Sequence, residues 1–476
     1  MRIGQTSFIA FASKFLSAAA GFAATIYFAR ELGDEVLGIY FFLLSIVGWL
    51  ALLGTMGVGS AITKRMSEGQ NVAEYKGAGG VVILGFGILI SLLLLLFRPC
   101  VANILGVDIV EYVVVLLLVG LLGTYVDSML QGDHLVHVYA MLKPVRRIIR
   151  TALQIGAVLL GWELAGLVFG YAVGGIVVVA IGLVYVGGNY ALPGREHVDS
   201  VFEYARYAWM GNLEGKTFNQ ADILLLGFLV PAGAVGVYGV TWNIAAFLIL
   251  FSTAISSAIF PEISKLSEND ETESISSIVR DSIAYAGLFA IPGLVGGVLL
   301  AEEILAVYGS AFDAGSQILG FLLLSVVFYS YQKQFVNTLG AIDRPDEAFK
   351  INLVLIVSNV ILNVVLITLY GITGAAIATA ASTVISASWG FVLLRRHVET
   401  AIPVGEVGRQ VIAAFGMGAL LIGLQPLLEG TLISQYPLAH AGTLVTMGAM
   451  TYFLLLLGLS GDFRAVVRNN LPDGGL

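Results

Sequence analysis

Charged side chains are scarce in this sequence. Asp, Glu, Lys and Arg make up 12% of its 476 residues, against roughly 25% in soluble domains. That scarcity excludes an ordinary soluble enzyme, and no nucleic-acid partner is expected. Cysteine is scarcer still. Cys100 stands alone, which excludes an internal disulfide and a thiolate metal cluster. Of five histidines, His134 and His137 sit three apart beside Asp133. Two imidazoles without a third ligand make a poor metal site, so neither a metal nor a bound cofactor is expected. "GFG" at 85–87 has no following Lys or Ser and makes no phosphate loop. No serine, histidine and aspartate group into a recognisable nucleophilic site.

Apolar surface is what the chain has in abundance. It is 58% hydrophobic, with a mean hydropathy of +0.91. A spanning helix takes about 20 apolar residues, and the runs predict fourteen spans. They lie at 5–28, 38–62, 77–97, 111–131, 147–162, 165–187, 207–230, 235–259, 281–301, 316–338, 351–369, 374–394, 411–428 and 440–459. The first is read as a retained helix, because apolar sequence continues past "SAAAG" to Ala29. An even count places both termini on one side. Nineteen Lys and Arg fall in loops on that side, against Arg30 and Arg98 opposite. The expectation is a multi-pass protein of the cell (plasma) membrane with both termini cytoplasmic. Every outer loop is then short, which argues against a membrane glycosyltransferase and for a chain that is not an enzyme.

The chain repeats itself. "EVLGIY" (35–40) matches "GAVGVY" (233–238), and "RMSEG" (65–69) matches "KLSEN" (265–269). "LQGDHLVHVYA" (130–140) matches "TLGAIDRPDEA" (338–348), and "AGLVFG" (165–170) matches "TGAAIA" (373–378). The offsets run from 198 to 208 residues in one order. The expected architecture is all-α and polytopic, with two parallel six-helix lobes (1–195 and 196–400) and an additional span pair with its tail (401–476). Transporters built from parallel repeats bind substrate between the halves, near the midplane.

Three stretches carry a family resemblance: "FARELGDEVLGIY" (28–40), "FPEISKL" (260–266) and "VSNVILNVVLITLYGITGAAIATAAS" (357–382). The chain resembles the polysaccharide flippases of the multidrug/oligosaccharidyl-lipid/polysaccharide exporter superfamily over essentially its whole length. The resemblance implies two rocking lobes that pass a polyprenyl-phosphate-linked glycan from the cytoplasmic to the outer leaflet. Membrane lipid and glycan-assembly enzymes are then the expected partners. The sister branch of multidrug extruders has twelve spans, so the last pair at 411–459 is extra. The resemblance implies that it forms a groove for the polyprenyl tail; the plainer reading is packing on the bundle. A cation-coupled small-molecule extruder is the second functional reading.

Polar residues inside spans are costly and mark cavities or partners. On span seven, Asn212, Lys216 and Asn219 share one helical face. Gln220 and Asp222 flank that face, and Glu214 points nearly the other way. Span one carries Lys14. Span ten carries Tyr329, Lys333 and Asn337 in a row four apart, and span eleven aligns Asn352, Asn359 and Asn363. Lys14, Asn212, Lys216, Asn219, Tyr329, Lys333 and Asn337 are the candidate lining of a glycan cavity. Amide and hydroxyl groups suit sugars, and lysine is a compact charge for a phosphate linker. Arg147 and Arg150 on span five are candidates for holding the headgroup at the cytoplasmic mouth, or are topogenic together with Arg146. The asparagine row reads as cavity lining or as interhelical glue. Asp127, Glu214 and Asp222 are candidates for coupling to Na+ or H+. If they share a cavity with the three lysines, its fixed charge is near zero.

Overall fold

In lipid every backbone N–H and C=O must be paired within its own segment, so apolar runs of this length fold as helices. The computed structural model of the chain is built of helices joined by short connectors, with no strand among the described residues. It describes residues 3–55, 57–208, 210–269, 271–428 and 430–470, and side chains over those stretches except 3–17, 206–212 and 469–470.

The first helices are α1 (Ile3–Thr55), α2 (Val58–Ser67), α3 (Val72–Leu96), α4 (Arg98–Leu105), α5 (Val110–Gly132), α6 (Val136–Leu159) and α7 (Glu163–Val186). Next come α8 (Arg195–Ala208), α9 (Met210–Leu229), α10 (Ala232–Ala246), α11 (Ile249–Glu268), α12 (Thr272–Ala286) and α13 (Ala290–Leu299). The last are α14 (Ala301–Ala306), α15 (Ser316–Ala341), α16 (Pro345–Leu394), α17 (Val404–Leu428), α18 (Pro437–Leu459) and α19 (Gly461–Asn470). Among the described residues, ten helices are long and apolar enough to cross a membrane by length and composition alone. The fourteen runs and these ten helices differ for two physical reasons. α1 and α16 each carry two apolar runs across a kink, at Gly33 (φ 75°) and Gly371 (φ 57°). Those left-handed angles suit glycine. α6 and α9 cover the runs read as spans five and seven, and both carry charged groups that lower their apolarity.

By contacts the chain forms two compact units, Leu16–Gly236 and Val237–Leu476 with Met1–Phe15. α9 therefore packs with the first unit, although the duplication places it at the head of the second half. Lipid tails give helices no hydrophobic reason to associate, so close packing of small residues does that work. α7 shows it: a Cβ on Gly170 would strike the Gln154 backbone, and one on Gly174 the Arg150 backbone. Gln154 completes the joint. Its Nε2 donates to the Tyr40 hydroxyl at 2.8 Å and to the Leu167 carbonyl at 2.8 Å. The end of α7 is held by a buried charge. Lys76 Nζ lies 2.7 Å from Asp133 and donates to the Val186 carbonyl at 3.1 Å.

In the second unit, α15 and both limbs of α16 meet along a polar seam. Asn359 Nδ2 donates to Thr379 Oγ1 at 3.2 Å, and Asn363 Nδ2 to Asn359 Oδ1 at 3.0 Å. Ser386 Oγ donates to Gln332 Oε1 at 3.0 Å. The first and third of these bonds cross between helix limbs, as interhelical glue should, and the second aligns two amides along one limb. The last two spans join the unit through Gln410, whose Nε2 donates to the Ala284 carbonyl at 2.7 Å. Ser460 donates to Glu406 at 2.6 Å, which ties the far end of α18 to the start of α17.

Candidate functional site

The first unit contains a cavity of about 430 Å³ between α1, α5, α6, α7 and α9. Its polar lining comes from Thr124, Arg146, Arg150, Tyr171, Lys216 and Gln220. Glycines open the space. Gly48, Gly120, Gly123 and Gly175 also line it, and a Cβ on Gly48 would meet Lys216 Nζ and Gln220 Oε1. The bare backbone at 48 is what lets those two side-chain ends rest against α1.

The charge balance is decided by one pair. Arg146 donates to both oxygens of Asp127, at 3.1 and 2.9 Å, the fork geometry that suits a carboxylate. Arg150 lies over the Tyr171 ring, 5.0 Å from its centroid. The Arg147 guanidinium lies against Gly21, where a Cβ would collide with it. Among the described residues Arg147, Arg150 and Lys216 make no ion pair, and the Nε atoms of Arg147 and Arg150 are buried without a hydrogen-bond partner. Glu214 and Asp222 are buried, 5% and 4% exposed, but they do not line this cavity. The lining is therefore cationic on balance.

Of the residues singled out in the sequence, the structure brings Lys216, Arg150 and Gln220 together here. Arg147 stands one residue from the lining. Asn219 is exposed and donates back to the Gly215 carbonyl of its own helix at 2.7 Å. Lys14 and Asn212 lie outside the described side chains. Tyr329, Lys333 and Asn337 belong to the second unit. Lys333 Nζ sits 6.0 Å from the Tyr329 ring centroid. Asn337 Nδ2 donates to the Ser256 carbonyl at 2.9 Å, so its amide joins α15 to α11. Asp133 is engaged by Lys76, and no cluster of three or more metal-ligating side chains occurs among the described residues. Sequence reasoning missed Arg146 as the partner of Asp127, Gly48 as the seat of Lys216, and Tyr171. Only Arg146 left a signal, as a member of the basic group on α6.

Comparison with known proteins follows the same lines. The polysaccharide biosynthesis protein family model matches residues 3–267, and the MatE model matches residues 213–365. The chain is 31% identical to the probable flippase AglR of Haloferax volcanii, over 99% of both chains. It is 28% identical to the probable low-salt glycan biosynthesis flippase Agl15 of the same organism, over 90% of this chain and 91% of that one. In fold it is similar to the lipid II flippase MurJ in an inward closed conformation. The TM-score is 0.78 at 17% identity, over 97% of this chain and all of that one. An inward-facing multidrug transporter of the MATE family gives 0.64 at 14% identity, over 80% of this chain and 95% of that one.

Proposed function

The chain belongs to the polysaccharide biosynthesis protein family of the multidrug/oligosaccharidyl-lipid/polysaccharide exporter superfamily, and from that premise we propose that it flips a polyprenyl (pyro)phosphate-linked oligosaccharide from the cytoplasmic to the outer leaflet. The observation that carries the reading is the cationic cavity of Arg150 and Lys216, with Arg147 beside it. Asp127, next to the lining, is taken up by Arg146. A diphosphate linker needs convergent cations, and Thr124, Tyr171 and Gln220 offer hydroxyl and amide groups to the first sugar. The chain acts as a transporter and not as an enzyme. Its lobes, 1–195 and 196–400, rock about the bound glycan, and the pair within 401–476 offers the polyprenyl tail a groove. It works in the plasma membrane with both termini cytoplasmic, in step with the enzymes that assemble the glycan. The buried Glu214 and Asp222 are the candidates for coupling to Na+ or H+.

A second reading, the cation-coupled extruder, draws on the MatE match across 213–365 and on those same buried carboxylates. Deletion of the gene followed by lipid analysis separates the two. Glycan-charged polyprenyl lipid should accumulate facing the cytoplasm. If it reaches the outer leaflet at the normal rate in a strain without another flippase, the reading fails. Lys216→Ala and Arg150→Gln should each remove a charge-assisted contact of about 1.5–3 kcal/mol. Transport at limiting substrate should then fall roughly ten- to hundredfold, with insertion unchanged.

A further inference from the structure

The second unit carries a cleft of about 650 Å³ that the glycan cavity does not use. It opens between the first turns of α12 and the connector 395–403 that leads from α16 into α17. Ser276, Ser277 and Arg280 share one face of α12 and line it. Arg395 lines it from the connector, with its guanidinium carbon 5.8 Å from the Phe391 ring centroid.

The cleft is built, not incidental. Ser276 Oγ donates to the Glu399 carbonyl at 2.6 Å and pins the connector to α12. Val398, on the inner side of the connector, is buried in the apolar cluster that holds Ile275 and Val279. Thr400 lines the cleft, is 9% exposed, and its hydroxyl has no hydrogen-bond partner. Two guanidinium groups from separate elements thus line one concavity. Among the described residues neither makes an ion pair. Glu399 is the one carboxylate in the lining, so the balance is positive. A purely topogenic arginine needs only to stay on its side of the membrane. It needs neither a pinned connector nor a second arginine across a cleft.

Guanidinium forks and serine hydroxyls suit a phosphate. The rim indicates where that phosphate comes from. Ile402 and Val404, 46% and 73% exposed, lead from the cleft into α17. A cationic concavity with an apolar rim at the end of a span matches an amphiphile better than a soluble ion. We infer that this cleft holds the phosphate of an anionic membrane lipid at the base of the last two spans. The inference does not depend on the glycan reading.

The test uses the full chain in detergent, with phosphatidylglycerol added and bound lipid counted by native mass spectrometry. The wild type should retain one phosphatidylglycerol more than Arg280→Gln/Arg395→Gln, whose affinity for that copy falls at least tenfold. Both arginines are exposed, so the variant should melt as the wild type does. Arg280→Lys/Arg395→Lys keeps the charge and should retain part of the binding. Arg396→Gln, an exposed neighbour outside the lining, should bind as the wild type does. Equal retention by the double glutamine variant overturns the site, and so does an equal loss with Arg396→Gln. Displacement of the lipid by millimolar inorganic phosphate overturns the lipid as the source.

Discussion

Asp127 reaches the cavity only through Arg146, whose terminal nitrogens hold both of its oxygens. The two side chains are 31% and 19% exposed, so solvent screens the pair only in part. Arg146→Gln would leave a carboxylate facing Arg150 and Lys216 and cancel one of the charges meant for the linker. Transport by that variant should fall roughly ten- to hundredfold, the worth of about 1.5–3 kcal/mol for a contact to a charged group. Adding Asp127→Asn should recover most of the loss, because the pair is then neutralised together. If the double variant is no better than the single one, Asp127 acts on its own account. Exposed charges between α4 and α5 follow the same chemistry with smaller stakes. Hydrogen bonds from Arg98 hold the Asp108 carboxyl below its ordinary value of 3.8. A depressed carboxyl pKa stabilises the fold above the unfolded value and loses that contribution as pH falls through the folded one. Hydrogen exchange across residues 98–111 should therefore quicken below about pH 4, beyond the intrinsic pH effect. Arg98→Gln should abolish the extra change, and an unchanged pH response in that variant would show that Asp108 does not carry it.

At the scale of helices, α6 and α7 depend on two glycines a turn apart. A Cβ on Gly170 or Gly174 would strike the backbone of α6, which cannot move aside as a flexible side chain can. Gly174→Val should cost about 1–3 kcal/mol, the usual penalty of overpacking. It should also displace Arg150, whose own backbone is the atom struck. Gly48→Ala meets only the mobile ends of Lys216 and Gln220, so it should keep stability while lowering transport. Thermal melts beside transport rates check both, and a stable Gly174→Val with full activity would refute the close-packing account. These contrasts show what the sequence could carry. The apolar spanning helices, the paired runs of α1 and α16 and the basic face of α6 are one-dimensional patterns and were readable. The Asp127–Arg146 pair needs the register of α5 against α6, and the seat of Lys216 needs α9 against α1. Neither register is encoded in any single helix. Asn337 shows the converse, since a polar residue in a row four apart can serve a neighbour's carbonyl as readily as a substrate.

At the scale of the molecule, the duplication meets itself. "EVLGIY" and "GAVGVY" align Gly38 with Gly236 and Asp34 with Ala232. A Cβ on Gly38 would strike the Ala232 carbonyl, and one on Gly236 would strike the Asp34 carbonyl. The contact is reciprocal, residue i to j and j to i, as a two-fold relation between repeated segments requires. Phe42 and Phe228 meet edge-on beside it, with ring centroids 5.1 Å apart. Both glycines belong to the first unit, so the crossing of α1 over the start of α10 is packed within one compact body. Because each glycine clears the same crossing, Gly38→Val and Gly236→Val should destabilise by similar amounts, about 1–3 kcal/mol each. Once one substitution has pushed the helices apart, the second has little left to strike. The double variant should therefore cost clearly less than the sum, a coupling that a double-mutant cycle on thermal or denaturant stability reads directly. Additive penalties, or a harmless substitution at either position, would mean that the two glycines do not share one crossing and that the symmetry of the repeat ends at the sequence.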